Sequence, residues 1–145
     1  MTIRIPPPVI VLACAVVMWW MPPLYQFPRY EWLVGLCILI SGLMGWGSLW
    51  QFWQVKTSVD PIRLDKTSVL VVRGIYQFSR NPMYLSLALL LLAWSLWLGS
   101  LSAVLVLMVF VFCINQCQIK PEERQLEKLF GEDYLNYKRK VRRWL

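Results

Sequence analysis

Two short polar motifs stand out in a largely apolar sequence. Arg80-Asn81-Pro82 precedes a long apolar stretch, and the acid pair Glu122-Glu123 follows it. A guanidinium can hold an anion through paired hydrogen bonds, whereas a carboxylate can hold an ammonium group or assist a proton transfer. Residues of these types at the two ends of one apolar stretch are therefore candidates for a chemical site.

A group of amides lies just before the acid pair, at Asn115, Gln116 and Gln118. Polar side chains inside a membrane are costly and tend to face a bundle interior or a cavity. Glu122 follows Gln118 by about one helical turn and so shares its face. If the apolar stretch folds back on itself, a cation, amides and a carboxylate meet at one depth. Such a site suits a polar cofactor that acts on a lipidic substrate.

Simpler explanations exist for each feature. Arg80 at a membrane interface can serve only to fix topology, and the acid pair can serve only to complement the dipole of a helix N-terminus. Cys113 and Cys117 share a helix face, but the chain has no histidine to complete a metal site. No metal is therefore expected, and these cysteines are interpreted as packing residues.

The elements that must position these residues follow from the distribution of charge. Three stretches carry no charged residue, at 5–27, 32–55 and 81–119. Because a helix needs about 20 apolar residues to cross a membrane, the third stretch holds two spans. The turn at Gly99-Ser100 makes those two spans a helical hairpin. We predict a single all-α polytopic domain, residues 1–145, with four transmembrane helices over about 5–26, 32–54, 82–98 and 101–119.

The basic residues predict the orientation. Of fifteen lysines and arginines, five lie in a loop over 56–80 and eight lie after residue 119. Because basic residues favour the cytoplasmic side, both termini and the candidate site are predicted to be cytoplasmic. The protein is expected to be a multi-pass protein of a bacterial inner membrane or an equivalent one. In residues 121–145, apolar residues recur at roughly helical spacing with basic residues between them, which predicts an amphipathic interfacial helix interrupted at Gly131. The expected partners are membrane lipids, and no nucleic acid is expected.

Small residues in the second apolar stretch predict close helix packing. Ser41 and Gly45 are four residues apart and therefore lie on one face of a helix. Small residues at this spacing allow the backbone of a second helix to approach closely.

The motifs resemble those of the isoprenylcysteine carboxyl methyltransferase family, which belongs to a wider membrane group with the phospholipid methyltransferases. The resemblance runs from about residue 56 to the C-terminus. The matching residues are Gly74-Ile75-Tyr76, Ser79-Arg80-Asn81-Pro82-Met83-Tyr84, Glu122-Glu123-x-x-Leu126, Phe130-Gly131-x-x-Tyr134-x-x-Tyr137 and Val141-x-Arg143.

This resemblance implies a methyltransferase that uses S-adenosylmethionine, yields S-adenosylhomocysteine and acts on a lipidic or prenylated acceptor, either a small molecule or a protein. For such a transfer, Arg80 is the candidate to hold an anionic acceptor and Glu123 the candidate to assist a proton transfer, while Gln118 and Asn115 are expected to contact the substrate. The residues implied to bind the cofactor are Ser68, Val69, Leu70, Val71, Tyr76, Asn81, Pro82, Met83, Tyr84 and Glu122.

Two positions depart from the family pattern. Asn81 stands where eukaryotic members have histidine, and an asparagine keeps a hydrogen bond but cannot take up a proton near neutral pH. Gln118 stands where the family has a substrate-contacting arginine. This difference indicates either a different acceptor or a role for Arg80 in orienting it. The acceptor is predicted to be a carboxylate or another group that is already deprotonated, such as a low-pKa thiol, because such an acceptor needs no general base.

Other functions fit parts of the sequence. A phospholipid N-methyltransferase must remove a proton from its ammonium acceptor, with Glu123 or a tyrosine as the base. A non-catalytic adaptor would need only a basic tail that binds anionic lipid. A transporter is a weaker fit, because no charged residue lies within any predicted span.

Overall fold

A computed structural model describes residues 5–54 and 74–144, and all regular elements within these ranges are helical. The all-α prediction is thereby confirmed. The α-helices are α1 (Pro7–Trp20), α2 (Glu31–Gln54), α3 (Pro82–Leu98), α4 (Leu101–Ile114), α5 (Lys120–Phe130) and α6 (Glu132–Lys140). A 3₁₀ turn, Gly74–Gln77, precedes α3, and a π-helical segment, Asn115–Ile119, joins α4 to α5.

Prolines set the limits of the first helix. A proline occupies the first turn of α1, where its missing N–H would have no partner in any case. The helix ends at Trp20, just before Pro22 and Pro23, which cannot donate to a continuing helix. The helix is therefore 14 residues long, shorter than the span predicted over 5–26.

The fourth apolar segment does not end where the tail begins. Residues Leu101–Phe130 form one continuous helix of 30 residues, so the expected boundary after Ile119 is not a break. Pro121 would meet the carbonyl of Cys117 in a regular α-helix, but the wider π turn lies there instead. The acid pair therefore lies on the same continuous helix as the apolar segment.

Two helices in the described part of the chain are long and apolar enough to cross a membrane, namely Glu31–Gln51 and Leu101–Phe130. The helices α1 and α3 are apolar but shorter. Large apolar side chains are exposed on the outside of the bundle, among them Leu12, Leu39 and Val109. An apolar exterior of this kind is expected of a protein surrounded by lipid.

Helix α3 packs against α1, α2 and α4. Its contact with α2 is close because Ser41 and Ser86 exchange hydrogen bonds: each hydroxyl donates to the carbonyl of the other residue, at 2.7 and 2.9 Å. Gly45 lies beside the same serine, as predicted from its spacing, and a Cβ at Gly45 would lie 3.0 Å from Oγ of Ser86. On the other side, the indole of Trp94 donates to the carbonyl of Ala15 in α1.

The turn between α3 and α4 is bound to the chain before α2. Arg29 donates to the carbonyl of Trp97 at 2.8 Å, and its guanidinium lies 4.1 Å from the centre of that indole ring. Gly99 has φ of +63°, and a Cβ there would lie 2.8 Å from the carbonyl oxygen of Phe27. This position therefore requires glycine, and the hairpin of α3 and α4 is fixed at its turn.

Candidate active site

The two motifs meet at the end of the α3–α4 hairpin opposite its turn. The hydroxyl of Tyr84, in the first turn of α3, donates to Oε1 of Glu122 on α5. Both side chains are buried. Residues that are 38 positions apart thus form one hydrogen-bonded pair, because the hairpin returns the chain to the same depth.

Tyr76 completes the same region from the 3₁₀ turn. Its side chain is buried and is hydrogen-bonded to Ser48 of α2. Burial raises the pKa of the Tyr76 phenol, as do the neighbouring Tyr137 and Glu122. The phenol is therefore neutral at physiological pH. Three of the predicted cofactor residues, Tyr76, Tyr84 and Glu122, consequently lie in one neighbourhood.

A second group of side chains surrounds Glu123, and we call it the arginine–glutamate cluster: Arg80, Asn115, Glu123 and Arg143. Arg143 donates from Nε to Oε1 of Glu123 at 2.9 Å and from Nη2 to Oε2 at 2.8 Å. Its Nη1 donates to Oδ1 of Asn115 at 3.1 Å. Nη1 of Arg80 lies 3.0 Å from Oε1 of Glu123. The hydrogen bond to Glu123 raises the pKa of Arg143.

The C-terminal segment, Val141–Trp144, lies across the start of α3. The N–H of Arg80 donates to the carbonyl of Arg142 at 3.0 Å, and Nδ2 of Asn81 donates to the carbonyl of Arg143 at 3.0 Å. Trp144 packs against the core formed by α1, α3 and α4. The Asn81 side chain, predicted to bind the cofactor, thus uses its N–H group on the protein's own tail.

The apolar side of the tail packs on the protein. Tyr134, Tyr137 and Val141 are buried together with Tyr76. The Tyr137 hydroxyl donates to the carbonyl of Tyr76 at 2.7 Å, and burial raises the pKa of Tyr137. Burial also raises the pKa of Tyr134 to about 12. These side chains pack against the protein, whereas the apolar side chains of a purely interfacial helix would face lipid.

The predicted group of three amides is divided between different surroundings. Asn115 belongs to the arginine–glutamate cluster, and Gln116 is exposed. Gln118 is buried, and its Nε2 donates to the carbonyl of Ile5 at 3.0 Å. Among the described residues, its Oε1 has no hydrogen-bond partner. Only Asn115 and Gln118 therefore belong to the interior of this end of the bundle.

The remaining predicted cofactor residues lie at the start of α3 or outside the described part of the chain. Pro82 begins α3 and is fully buried, and Met83 follows it in the first turn, half-buried. The stretch Ser68, Val69, Leu70 and Val71 lies outside the described residues.

Sequence reasoning did not single out Ser48, Tyr134, Tyr137 or Arg143 as site residues. Ser48 gave no signal, because one serine in an apolar helix resembles a packing residue. The tyrosines and Arg143 stood within matched motifs but were also explained by the amphipathic pattern of the tail. Their partners lie between 20 and 64 residues away, a separation at which local spacing is uninformative.

The sequence is similar to those of known proteins over much of its length. Residues 31–133 match the model of the phospholipid methyltransferase family. A stretch of 63 residues, 43% of the chain, is 59% identical to the full length of an uncharacterized protein of Haemophilus influenzae. A stretch of 77 residues, 53% of the chain, is 30% identical to the protein-S-isoprenylcysteine O-methyltransferase of Schizosaccharomyces pombe.

The match covers 33% of the length of the yeast enzyme. No solved structure matches the chain significantly. The family match includes the Arg80-Asn81-Pro82 motif and the acid pair, and it spans the long apolar helices Glu31–Gln51 and Leu101–Phe130. The resemblance inferred from the motifs is thereby confirmed. The chain belongs to the phospholipid methyltransferase family.

Proposed function

We propose that the protein is an S-adenosylmethionine-dependent methyltransferase that acts at the membrane on a lipidic acceptor. The observation that carries this proposal is the buried pair of Tyr84 and Glu122, which joins the two motifs of the family across the helical hairpin. An adaptor that only adhered to lipid would have no need to bury a carboxylate against a distant tyrosine.

The residues at this end of the bundle fit the cofactor. Its ammonium group suits the buried carboxylate of Glu122. Within the described part of the chain, Oε1 of Gln118 has no hydrogen-bond partner, and it can accept from a donor group of the cofactor. Its carboxylate suits the N-terminus of α3, where the helix dipole favours negative charge. Asn81 can contribute its carbonyl oxygen, since its N–H group is bound to the tail.

When bound, the cofactor supplies a methyl group on a sulfonium for in-line displacement. The protein's own contribution is to hold both reactants in line and to exclude water. We propose that the buried side chains of Tyr76, Tyr134 and Tyr137 exclude water from the site. No proton needs to be moved if the acceptor is already anionic.

The proposed acceptor is a carboxylate on a lipid or prenylated molecule, with Arg80 as the group that orients it. Phospholipid N-methylation is the second candidate, favoured by the description of the matching family. It requires a base for the ammonium acceptor. Glu123 is poorly arranged for that task because Arg143 occupies both of its oxygens, and the chain has no histidine. A carboxylate acceptor removes the requirement.

Binding of S-adenosylhomocysteine to purified protein in neutral detergent tests the proposal. We expect Glu122→Ala to weaken binding roughly tenfold or more, because a charge-assisted hydrogen bond is worth about 1.5–3 kcal/mol. Isothermal titration calorimetry measures the affinity.

Glu127→Ala is the matched control. Glu127 is a glutamate on the same helix, but it pairs with Lys138 at the surface, so its removal should leave the affinity unchanged. Equal affinity of the wild-type protein and Glu122→Ala would overturn the site assignment. Salt-sensitive binding to anionic vesicles without any affinity for S-adenosylhomocysteine would support the adaptor instead.

A further inference from the structure

Arg143 donates a hydrogen bond to each carboxylate oxygen of Glu123. Its guanidinium makes two parallel hydrogen bonds to the two carboxylate oxygens, which is the strongest geometry available to this pair of groups. The exposed fraction of the Glu123 side chain is 7%, so the carboxylate is shielded from solvent, while the Arg143 side chain is 29% exposed. A buried carboxylate with such a partner is already neutralised and does not need a second cation.

Arg80 is nevertheless held next to the same carboxylate. Its Nη1 lies 3.0 Å from Oε1 of Glu123, but at an angle that does not make a hydrogen bond. Its Nε is buried and, within residues 5–54 and 74–144, has no hydrogen-bond partner. The exposed fraction of the side chain is only 9%. A buried guanidinium N–H without an acceptor is costly, and the Nε of Arg80 is therefore suited to donate to an anionic ligand.

The cluster also carries an excess of positive charge. Arg80 and Arg143 contribute two positive charges and Glu123 one negative charge, while Asn115 is neutral. Tyr134, which is hydrogen-bonded to Arg80, is buried and uncharged at physiological pH. The adjacent buried acid, Glu122, lies outside this cluster and is hydrogen-bonded to Tyr84.

We infer that Arg143 is a positioning residue that neutralises Glu123 and thereby leaves the guanidinium of Arg80 to bind an oxyanion, a carboxylate or a phosphate ester. The identification of that oxyanion as part of the methyl acceptor rests on the proposed function. The charge relation itself does not. In this arrangement Arg143, in the C-terminal segment, determines the net charge around Arg80.

Three small amphiphiles test the inference: hexanoate, hexyl phosphate and, as the neutral reference, hexanol. Their affinities for the full-length protein in neutral detergent are measured by microscale thermophoresis. The wild-type protein should bind one or both anions more tightly than hexanol. Preference for hexanoate indicates a carboxylate acceptor, and preference for hexyl phosphate indicates a phospholipid headgroup. Equal affinity for all three would overturn the assignment of Arg80 as an anion site.

Variants that change only charge separate this role from a structural one. Arg143→Ala leaves Glu123 to pair with Arg80, so anion affinity should fall roughly tenfold, a change of about 1.4 kcal/mol. Glu123→Gln releases both arginines, so anion affinity should rise. The double variant Glu123→Gln/Arg143→Ala restores the wild-type net charge and should restore the affinity. Arg142→Ala removes an exposed arginine next in sequence and should change nothing.

A purely structural role gives opposite signs. If Arg143 only fastens the tail, Glu123→Gln should lower anion affinity, and the double variant should be no better than Arg143→Ala. Either result would overturn the inference. Glu123→Gln also provides the test if Arg143→Ala does not fold. Anion binding with the expected charge dependence but no affinity for S-adenosylhomocysteine would support this inference while contradicting the proposed function.

Discussion

The neighbouring acids Glu122 and Glu123 have different partners. Successive residues of an α-helix are about 100° apart, so the two carboxylates face different elements. Glu122 accepts from Tyr84 at the start of α3, and Glu123 accepts from Arg143 in the tail. Glu122 is the carboxylate that we propose for a cation of the cofactor, whereas Glu123 pairs with Arg80 and Arg143 of the protein itself.

Tyr137 offers a test at the residue scale. Its buried hydroxyl donates to the carbonyl of Tyr76 at 2.7 Å and lies 3.4 Å from that of Ser79. Tyr137→Phe leaves these buried acceptors without their donor, so the free energy of unfolding should fall by about 1–3 kcal/mol. Unfolding in mixed micelles with increasing dodecyl sulfate measures the change.

Tyr25→Phe is the control, because Tyr25 is exposed and its contact with Leu101 uses only its backbone. A loss of stability in Tyr25→Phe equal to that in Tyr137→Phe would mean that the tail hydroxyl contributes nothing specific.

At the scale of helices, the packing of α2 against α3 determines where the site is. Ser41 and Ser86 bond to each other's backbone, and Ser48, two turns further along α2, is hydrogen-bonded to Tyr76. The same face of α2 therefore holds both the hairpin and the 3₁₀ turn. The hydroxyl groups of these three serines are satisfied within the bundle, as they must be where water is excluded.

Two glycines of α2 allow a matched comparison of this packing. A Cβ at Gly45 would lie 3.0 Å from Oγ of Ser86, whereas a Cβ at Gly42 meets no described atom within 4 Å. Gly45→Ala should force the helices apart and destabilise the protein by about 1–3 kcal/mol. Gly42→Ala should be neutral or slightly stabilising, because alanine favours helix.

The same detergent unfolding measurement compares the two variants. Equal effects at both positions would contradict close approach of α2 and α3 at Gly45.

At the scale of the whole molecule, the helices α1 and α3 are short for the predicted topology of four membrane spans. With 14 and 17 residues, α1 and α3 are about 21 and 25 Å long, against a hydrocarbon core of about 30 Å. Helices of this length can span if the bilayer thins locally or if flanking residues extend the crossing. The four-span topology with cytoplasmic termini accordingly remains a prediction.

Cysteine labelling tests that topology. In a background without the four native cysteines, Leu24→Cys lies before α2 and Asp133→Cys lies in α6, both at exposed positions. A membrane-impermeant maleimide added to intact spheroplasts should label Leu24→Cys, and it should label Asp133→Cys only after permeabilisation. Labelling of both positions from the same side would reject the four-span arrangement.

Much of the helical layout follows from the sequence because charge and proline act locally. The charge-free stretch after Asn81 and the turn at Gly99 indicate the hairpin, and the structure has α3 over Pro82–Leu98. Long-range partners are a different matter. Neither the pairing of Arg143 with Glu123 nor that of Tyr84 with Glu122 can be deduced from spacing, because each depends on how separate helices pack. The continuous helix through Pro121 was missed because a π turn has no simple sequence signature.

The π segment also constrains how the sequence of this protein can change. An inserted residue rotates the rest of the helix by about 100° about its axis. The length of the π segment therefore determines the direction in which Glu122 and Glu123 face relative to the apolar segment before them. Substitution at the exposed Gln116 leaves that direction unchanged. Loss or gain of one residue between 115 and 119 turns both carboxylates away from their partners at once. Relatives that share this site should therefore differ freely here in residue type but keep the same number of residues.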